Sequence, residues 1–260
     1  MSRVLQADGV GKITFFTSVV AYFSLFAQLG IPTYGIRACA KVRNDKEKLA
    51  KTVQEIFFIN FVMSIVVYIA LFIAYISVDK FNEEGILFLI FASTLAFNLI
   101  GMEWLYKSLE EYFYITVRSL VFKVIGICLM FLFVHDKSDY IIYGMVTIFA
   151  GSASSLLNFI NIRKHVQFYK LRTDYDFKQH MKPILVLFAL SAAATIYTNL
   201  DSVMLGFIHG DAEVGYYNTS VKVKYILLSI VTALGTVLLP RLSFYIQNGE
   251  REKFLELSNK

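Results

Sequence analysis

The hydrophobic residues of this chain fall into long segments, and this pattern predicts membrane-spanning helices. A helix of about 20 apolar residues crosses the ~30 Å hydrocarbon core of a bilayer. Seven segments of suitable length follow one another: Lys12–Ala38, Thr52–Val78, Gly85–Tyr106, Tyr114–His135, Tyr140–Ile162, Pro183–Gly206 and Gly215–Leu239. The pattern therefore predicts an all-α polytopic transmembrane helix bundle with about seven spanning helices.

The composition agrees with this prediction. Hydrophobic residues make up 57% of the 260 residues, whereas soluble domains are ~45–50% apolar. Seven long apolar segments are also too many for a single soluble core. Because proline disrupts helical hydrogen bonding, the presence of only three prolines suits long helices.

The placement of basic residues predicts the orientation in the membrane. Of the 25 lysines and arginines, we count 17 on one set of alternating loops, and the opposite loops hold Arg3, Lys12, Lys80 and Lys137. The positive-inside rule makes the richer set cytoplasmic, together with the C-terminal segment. The strict alternation favours this explanation over nucleic-acid binding, so no nucleic-acid partner is expected.

A short motif occurs twice and suggests an internal repeat. Ala7–Gly11 is similar to Ala212–Gly215, and each copy is followed by an apolar segment of similar length. The segment Pro183–Gly206 precedes the second copy, but nothing comparable precedes the first. We therefore hypothesise a chain that lacks one N-terminal spanning helix and most of a second repeat. The alternative is chance similarity between two turns, because glycine and acidic residues favour any turn.

Three predicted helices carry a stripe of small or polar residues at helical spacing. Such stripes either pack helices together or line water-filled cavities, and packing is the commoner role for serine and threonine alone. A lysine at the same spacing favours a cavity in the last helix. The stripes comprise Thr14, Thr17, Ser18, Ala21, Ser24 and Gln28; Ser191, Thr195, Thr198 and Ser202, with Asn199 and Asp201 at the edges; and Asn218, Lys222, Tyr225, Ser229, Thr232 and Thr236.

Charged residues inside the predicted spans are the strongest candidates for a site. Each costs ~2.5–3.5 kcal/mol on insertion scales, and such residues mark pathways or pair with one another. Arg118 and Lys224 can snorkel to the surface, whereas Lys123 lies deeper. Two roles are open for these charged residues, a functional role and structural pairing with one another. The set comprises Arg118, Lys123, Lys222, Lys224, Asp201 and Glu103. Cations outnumber acids, which suits an anionic substrate such as a phosphate or pyrophosphate.

Covalent chemistry has no support in the sequence. The four histidines form no metal-ligand pair at helical spacing, and we identify no catalytic motif. We therefore predict no enzyme activity, no catalytic residue, no metal site and no cofactor.

Residues 163–182 mix basic and aromatic side chains, which is typical of an amphipathic connector on a membrane surface. This connector would separate a first lobe, 1–162, from the first two helices of a second, 183–260.

Several motifs, in order, resemble those of the polysaccharide repeat-unit flippases of O-antigen and capsule pathways, a family within the superfamily that also holds multidrug exporters. The resemblance covers nearly the whole chain and depends on the order and spacing of these motifs. They are Gly9-Val-Gly11, Leu29-Gly-Ile-Pro-Thr-Tyr-Gly-Ile-Arg37, Gly101-Met-Glu-Trp-Leu-Tyr106, Tyr197-Thr-Asn-Leu-Asp-Ser-Val-Met-Leu-Gly206 and Val214-Gly-Tyr-Tyr217.

The resemblance implies two six-helix lobes around a central cavity in the bacterial inner membrane. It implies alternating access, by which undecaprenyl-pyrophosphate-linked oligosaccharide moves between leaflets. The implied partners are this lipid-linked oligosaccharide, membrane lipids, a polysaccharide polymerase and a chain-length regulator. We predict substrate binding by Arg118, Lys123, Lys222, Arg37 and Asn199, and gating or ion coupling by Asp201, Glu103 and Pro32. Pro32 would interrupt the helix beside Arg37 and create a hinge.

The sequence is also compatible with other functions. A multidrug or cation extrusion antiporter of the same superfamily should prefer buried acids to buried cations. A truncated, non-transporting remnant or membrane scaffold would fit the missing helices. A membrane polymerase would predict a large extracytoplasmic loop, but the outer loops here are short.

Overall fold

A computed structural model describes the backbone of residues 2–166 and 174–247 and the side chains of residues 4–166 and 174–229. The chain divides into two compact units, Met1–Gly215 and Tyr216–Lys260. Within the described residues all regular structure is helical. The α-helices there are α1 (Ser2–Gln28), α2 (Ile31–Val42), α3 (Lys46–Ser77), α4 (Asp79–Glu83), α5 (Gly85–Gly101), α6 (Glu103–Ser108), α7 (Tyr112–Phe133), α8 (Tyr140–Ser152), α9 (Ser155–Asn161), α10 (Lys178–Ile208) and α11 (Asp211–Gln247).

The prediction of an all-α polytopic membrane bundle is confirmed. Five helical stretches in the described part are long and apolar enough to cross a membrane: Val4–Val42, Lys46–Ser77, Tyr112–Phe133, Lys137–Lys164 and Lys178–Ile208. The 17-residue helix α5 is apolar but shorter. Large apolar side chains such as Phe72, Ile76 and Leu132 are exposed on the outer surface, as expected for helices that face lipid.

Left-handed backbone conformations divide two of the predicted apolar segments. Leu29 (φ 45°) and Gly30 (φ 75°) separate α1 from α2, and Met102 (φ 39°) separates α5 from α6. Pro32 lies in the first turn of α2. A backbone N–H at this position has no acceptor within the helix, so its absence in proline costs no helical hydrogen bond. The interruption predicted at Pro32 is therefore made by the two residues before the helix.

The two copies of the repeated motif cross each other at close range. A Cβ atom on Gly11 of α1 would overlap the carbonyl oxygen of Asp211, and a Cβ atom on Gly215 would overlap that of Ala7. The first copy lies within α1, which begins ten residues before Lys12 and is distorted at Gln6 (φ 57°). Only glycine allows two helix backbones to approach this closely.

The α2, α3 and α10 helices pack around one apolar cluster. Its members include Ile31 and Cys39 of α2, Val53 and Ile56 of α3 and Ile184 of α10, all fully or almost fully buried. Asp45 caps α3 by accepting hydrogen bonds from the backbone N–H groups of residues 47 and 48, at 3.1 Å each. We call this end of the first unit the basic end, because it carries Arg37, Lys41, Lys51 and Lys182.

The opposite end of the first unit is held by aromatic packing and ion pairs. Its aromatic core contains Phe15, Phe16, Phe81, Phe88 and Phe91. At its margin, Lys12 pairs with Glu84 at 2.6 Å and Lys80 pairs with Asp211 at 2.7 Å. We call it the Glu84 end. Both lysines at this margin are therefore paired with an acid.

Candidate functional site

A cavity of about 670 Å³ lies at the basic end, between α2, α3 and the first turns of α10. We call it the basic cavity. Its lining residues are Tyr34, Arg37, Ala38, Lys41, Val42, Thr52, Gln179, His180, Lys182, Pro183, Val186 and Leu187. The apolar cluster beneath the three helices fixes their spacing, so this cavity is a property of the packed bundle and not of a loop.

Three cations give the basic cavity its charge. Arg37 and Lys41 are one turn apart on α2, and Lys182 faces them from α10. All three side chains are exposed, and within the described part of the chain none of them forms an ion pair. A guanidinium fork beside two ammonium groups matches the oxygens of a phosphate or pyrophosphate.

A buried hydrogen-bonded cluster forms part of the cavity wall. His180 Nε2 lies 2.8 Å from Glu55 Oε2, and His180 Nδ1 lies 2.6 Å from the hydroxyl oxygen of Tyr34. Glu55 and His180 are both buried. We call these three residues the Tyr34–His180–Glu55 cluster. It connects α2, α3 and α10 directly behind the cations.

Glu55 also fastens the segment before α10 to α3. Its Oε1 accepts a hydrogen bond from the backbone N–H of Asp176 at 2.7 Å. Nearby, Lys51 pairs with Asp174 at 2.9 Å, and Tyr175 donates to Gln54 at 3.1 Å. Glu55 is a functional candidate that was not predicted from the sequence, although an acid near the start of an apolar segment is a visible signal.

A second, smaller cavity of about 230 Å³ lies at the break between α1 and α2. Its walls include Ser24, Gln28 and Pro32 on one side and Ser191 and Thr195 of α10 on the other. The polar stripes of two helices therefore meet here. Farther along the same stripes, Ser18 and Ser202 are buried, so the stripes both pack helices and line a cavity.

Arg118 lies in a different place from the basic cavity. It is buried in α7, where its Nη1 donates to the carbonyl oxygen of Ser154 at 2.9 Å. Its Nη2 lies 3.6 Å from Glu103, which also pairs with Lys107 at 2.7 Å. The structure therefore brings the two predicted site residues Arg118 and Glu103 together, in an arrangement that holds the junction of α8 and α9.

The remaining predicted site residues are dispersed. Lys123 is exposed on α7, and five residues from Arg118 place it about 140° around the helix axis. Asn199 hydrogen-bonds within its own helix, to the carbonyl oxygen of Thr195 at 3.0 Å. Asp201 is exposed on α10. Lys222 is exposed in the second unit.

The predicted lobe boundary and connector are only partly within the described residues. The chain between 167 and 173 lies outside them, and α10 begins at Lys178. The division into 1–162, 163–182 and 183–260 stays a prediction. Among the described residues, no group of three or more histidine, cysteine, aspartate or glutamate side chains could hold a metal ion.

Comparison with known proteins supports the resemblance seen in the sequence. Residues 1–245 match the family model described as "Polysaccharide biosynthesis protein". A protein of Escherichia coli K12 named "Putative O-antigen transporter" is 22% identical over 242 residues, which cover 93% of this chain and 58% of that protein. A protein of the same name from Shigella dysenteriae is 23% identical over 251 residues, covering 93% and 61%.

The chain thus spans about three fifths of the length of these curated relatives. No solved structure matches it significantly. The family match extends over nearly the whole sequence and over both units, and it agrees with the long apolar helices of the fold. This chain is a multi-pass membrane protein that belongs to the polysaccharide biosynthesis protein family.

Proposed function

We propose that this chain binds and helps to translocate an undecaprenyl-pyrophosphate-linked oligosaccharide across the bacterial inner membrane, for O-antigen, capsule or exopolysaccharide synthesis. The observation that carries the proposal is the basic cavity, with Arg37, Lys41 and Lys182 free of ion pairs in the described structure. The relatives named as O-antigen transporters support the same substrate class. The proposed activity moves a substrate and involves no covalent chemistry.

The two cavities suit the two parts of such a substrate. A pyrophosphate needs cations and donors, which the basic cavity offers. Sugar hydroxyls need neutral polar partners, and Ser24, Gln28, Ser191 and Thr195 line the smaller cavity. The proposed orientation has the basic end in the cytoplasm, where loops rich in lysine and arginine belong. The substrate would then bind from the side on which it is assembled.

Residues outside the basic cavity have supporting roles in the proposed function. Arg118 and Glu103 act as positioning residues for the α8–α9 junction, because Nη1 of Arg118 binds the carbonyl oxygen of Ser154 and its Nη2 lies beside Glu103. Lys123, Lys222 and Asn199 remain proposed substrate contacts, and Asp201 and Pro32 remain proposed gating positions. The proposed partners are membrane lipids, a polysaccharide polymerase and a chain-length regulator, with 1–162 and 183–260 belonging to two lobes.

A binding experiment tests the proposal. The probe is a soluble diester of pyrophosphate that carries a short isoprenyl chain and one sugar. The purified full chain, in nanodiscs of phosphatidylethanolamine and phosphatidylglycerol, should bind it. Combined replacement of Arg37, Lys41 and Lys182 by glutamine should weaken binding at least about tenfold, because one good charge-assisted contact is worth ~1.5–3 kcal/mol.

The matched control neutralises three other exposed cations near the predicted cytoplasmic loops, with Lys46, Arg163 and Lys164 replaced by glutamine. It changes the net charge equally and should leave the affinity within about twofold. Wild-type affinity in the cavity variant would contradict the proposal. Equal losses in both variants would indicate a general attraction of the basic surface for anions and would also count against a defined site.

One observation favours a second candidate, a cation or drug antiporter of the same architecture. Glu55 is a buried acid beside the cavity, and buried acids are what such an antiporter requires. Its oxygens are, however, occupied by His180 and the backbone of Asp176. Saturable binding of an organic cation such as ethidium, lost on Glu55→Gln, would favour this function over the anion site.

A further inference from the structure

We infer that anion binding in the basic cavity is coupled to protonation of His180, so that binding takes up a proton and becomes tighter as pH falls. The inference rests on the proposed function, because it concerns the same cavity. The observation behind it is the Tyr34–His180–Glu55 cluster. This cluster places a titratable ring between a buried carboxylate and the hydroxyl that lines the cavity.

The hydrogen-bond pattern assigns the neutral form of the ring. Glu55 accepts the backbone N–H of Asp176 at 2.7 Å, which suits an ionised carboxylate. His180 Nε2, 2.8 Å from the other carboxylate oxygen, therefore donates. Nδ1 is then left to accept from the hydroxyl of Tyr34 at 2.6 Å. Every polar atom of the neutral ring has a complementary partner.

The same geometry also accommodates the charged form. An imidazolium carries a proton on both nitrogens. Nε2–H continues to donate to Glu55, and Nδ1–H donates to the Tyr34 oxygen. The hydroxyl hydrogen of Tyr34 is then released and can point into the basic cavity. Protonation thus adds a positive charge to the wall and turns a hydroxyl donor toward the anion, without any movement of the backbone.

When the cavity is empty, the charges around His180 have opposing effects on the charged form of the ring. The carboxylate of Glu55 favours the imidazolium, and the cavity cations Arg37, Lys41 and Lys182 disfavour it. Among the described residues, the titratable or charged groups near the cluster include Tyr34, Arg37, Cys39 and Lys41 on α2, Lys51 and Glu55 on α3, Asp174 and Asp176 before α10, and Lys178 and Lys182 on α10.

An anion in the cavity changes this balance. It offsets the cations that disfavour the imidazolium, while Glu55 stays in place 2.8 Å from the ring. A bound anion and a proton on His180 therefore stabilise each other. Because coupling between two binding events is reciprocal, a protonated His180 also binds the anion more tightly. The affinity should increase by at most about tenfold per pH unit, the limit for one linked proton.

The test measures affinity and proton uptake together. The pyrophosphate diester probe has no group that titrates near neutral pH, so its charge stays constant while pH is varied. Calorimetry on the full chain in nanodiscs at pH 6 and pH 8, in buffers of different ionisation enthalpy, should show about tenfold tighter binding at pH 6 and net proton uptake. His180→Gln should bind with an affinity independent of pH and without proton uptake.

His165→Gln is the matched control, because His165 also lies beside an acid, with Nε2 3.3 Å from Glu111 Oε1, but does not line the basic cavity. It should retain the wild-type pH dependence. Glu55→Gln preserves the shape of the cluster and removes the carboxylate that favours the imidazolium. It should move the pH dependence of binding to lower pH. This variant therefore tests the inference even if His180→Gln does not fold.

The outcomes separate this inference from the proposed function. Wild-type binding that is equally tight at pH 6 and pH 8, without proton uptake, overturns the inference and leaves the anion site intact. Loss of the pH dependence in His165→Gln, or an unchanged pH dependence in the folded His180→Gln variant, overturns the assignment to His180. The absence of probe binding at every pH overturns both the inference and the proposed function.

Discussion

Arg118 donates a hydrogen bond from Nη1 to the carbonyl oxygen of Ser154 at 2.9 Å, across the interface between α7 and the junction of α8 and α9. The side chain is buried, and Glu103 and the ring of Tyr114 complete its surroundings. A cation that the sequence singles out for a substrate is therefore engaged in holding helices together. The requirement for Arg118 should consequently be visible in stability as well as in transport.

Arg118→Ala should destabilise the protein by about 1–3 kcal/mol, because it removes a buried hydrogen bond from a charged group to a backbone carbonyl. Thermal unfolding of the detergent-purified chain measures the effect. Lys123→Ala removes a neighbouring cation that is exposed and should leave the unfolding temperature unchanged. Equal stability of the two variants would contradict the structural role of Arg118.

Gly11→Ala and Gly215→Ala should each lower thermal stability and disturb the crossing of α1 and α11. The added Cβ atom would overlap a carbonyl oxygen of the other helix in both cases, and backbone atoms cannot move aside as a flexible side chain can. Gly151→Ala is the control, because its Cβ atom would meet nothing within 4 Å. The crossing would be in doubt if all three variants melted at the wild-type temperature.

Lys80 and Asp211 should show a favourable coupling in a double-mutant cycle. Their atoms are 2.7 Å apart, and both side chains are more than three quarters buried. We expect a coupling of about 1 kcal/mol, which is in the range for contacting residues. Arg43 and Glu110 are equally close at 2.6 Å but more exposed, so their coupling should be smaller. A larger coupling for the exposed pair would contradict this prediction.

The N-terminus of α3 should become less stable in acid. Hydrogen bonds from the backbone and side chain of Lys48 lower the pKa of Asp45 below its ordinary value of 3.8. A lowered folded-state pKa means that the stabilisation is complete above 3.8 and is lost as pH falls through the lower value. Unfolding temperatures at pH 6 and pH 3 measure the loss. Asp45→Asn keeps a capping side chain without the titration, so its unfolding temperature should fall less between these two pH values.

The long apolar segments were sufficient to predict the fold class, because a helix is the structure that satisfies every backbone group within one segment in lipid. Internal breaks were harder to predict. The break at Met102 depends on a left-handed residue other than glycine, for which the local sequence carries no signal. Gly30 combines a positive φ with close packing on the backbone of Phe188 in α10, and such packing is known only once the helices are placed.

The candidate site was predicted less completely than the fold. Arg37 was identified and lines the basic cavity, but Lys41, Lys182 and His180 join it there from positions near helix ends. Basic residues at such positions are common for reasons of topology, so the sequence alone cannot single them out. Arg118 shows the reverse situation, since its charge within a span was a strong signal but its partners are backbone and Glu103.

The crossing of Gly11 and Gly215 also has a consequence for the evolution of this chain. The two glycines occupy matching positions in the repeated motif, and each lies against backbone of the other copy. A side chain gained at either position must be accommodated by both copies at once. We therefore expect the two sites to vary together among relatives, as a covarying pair separated by about two hundred residues of sequence.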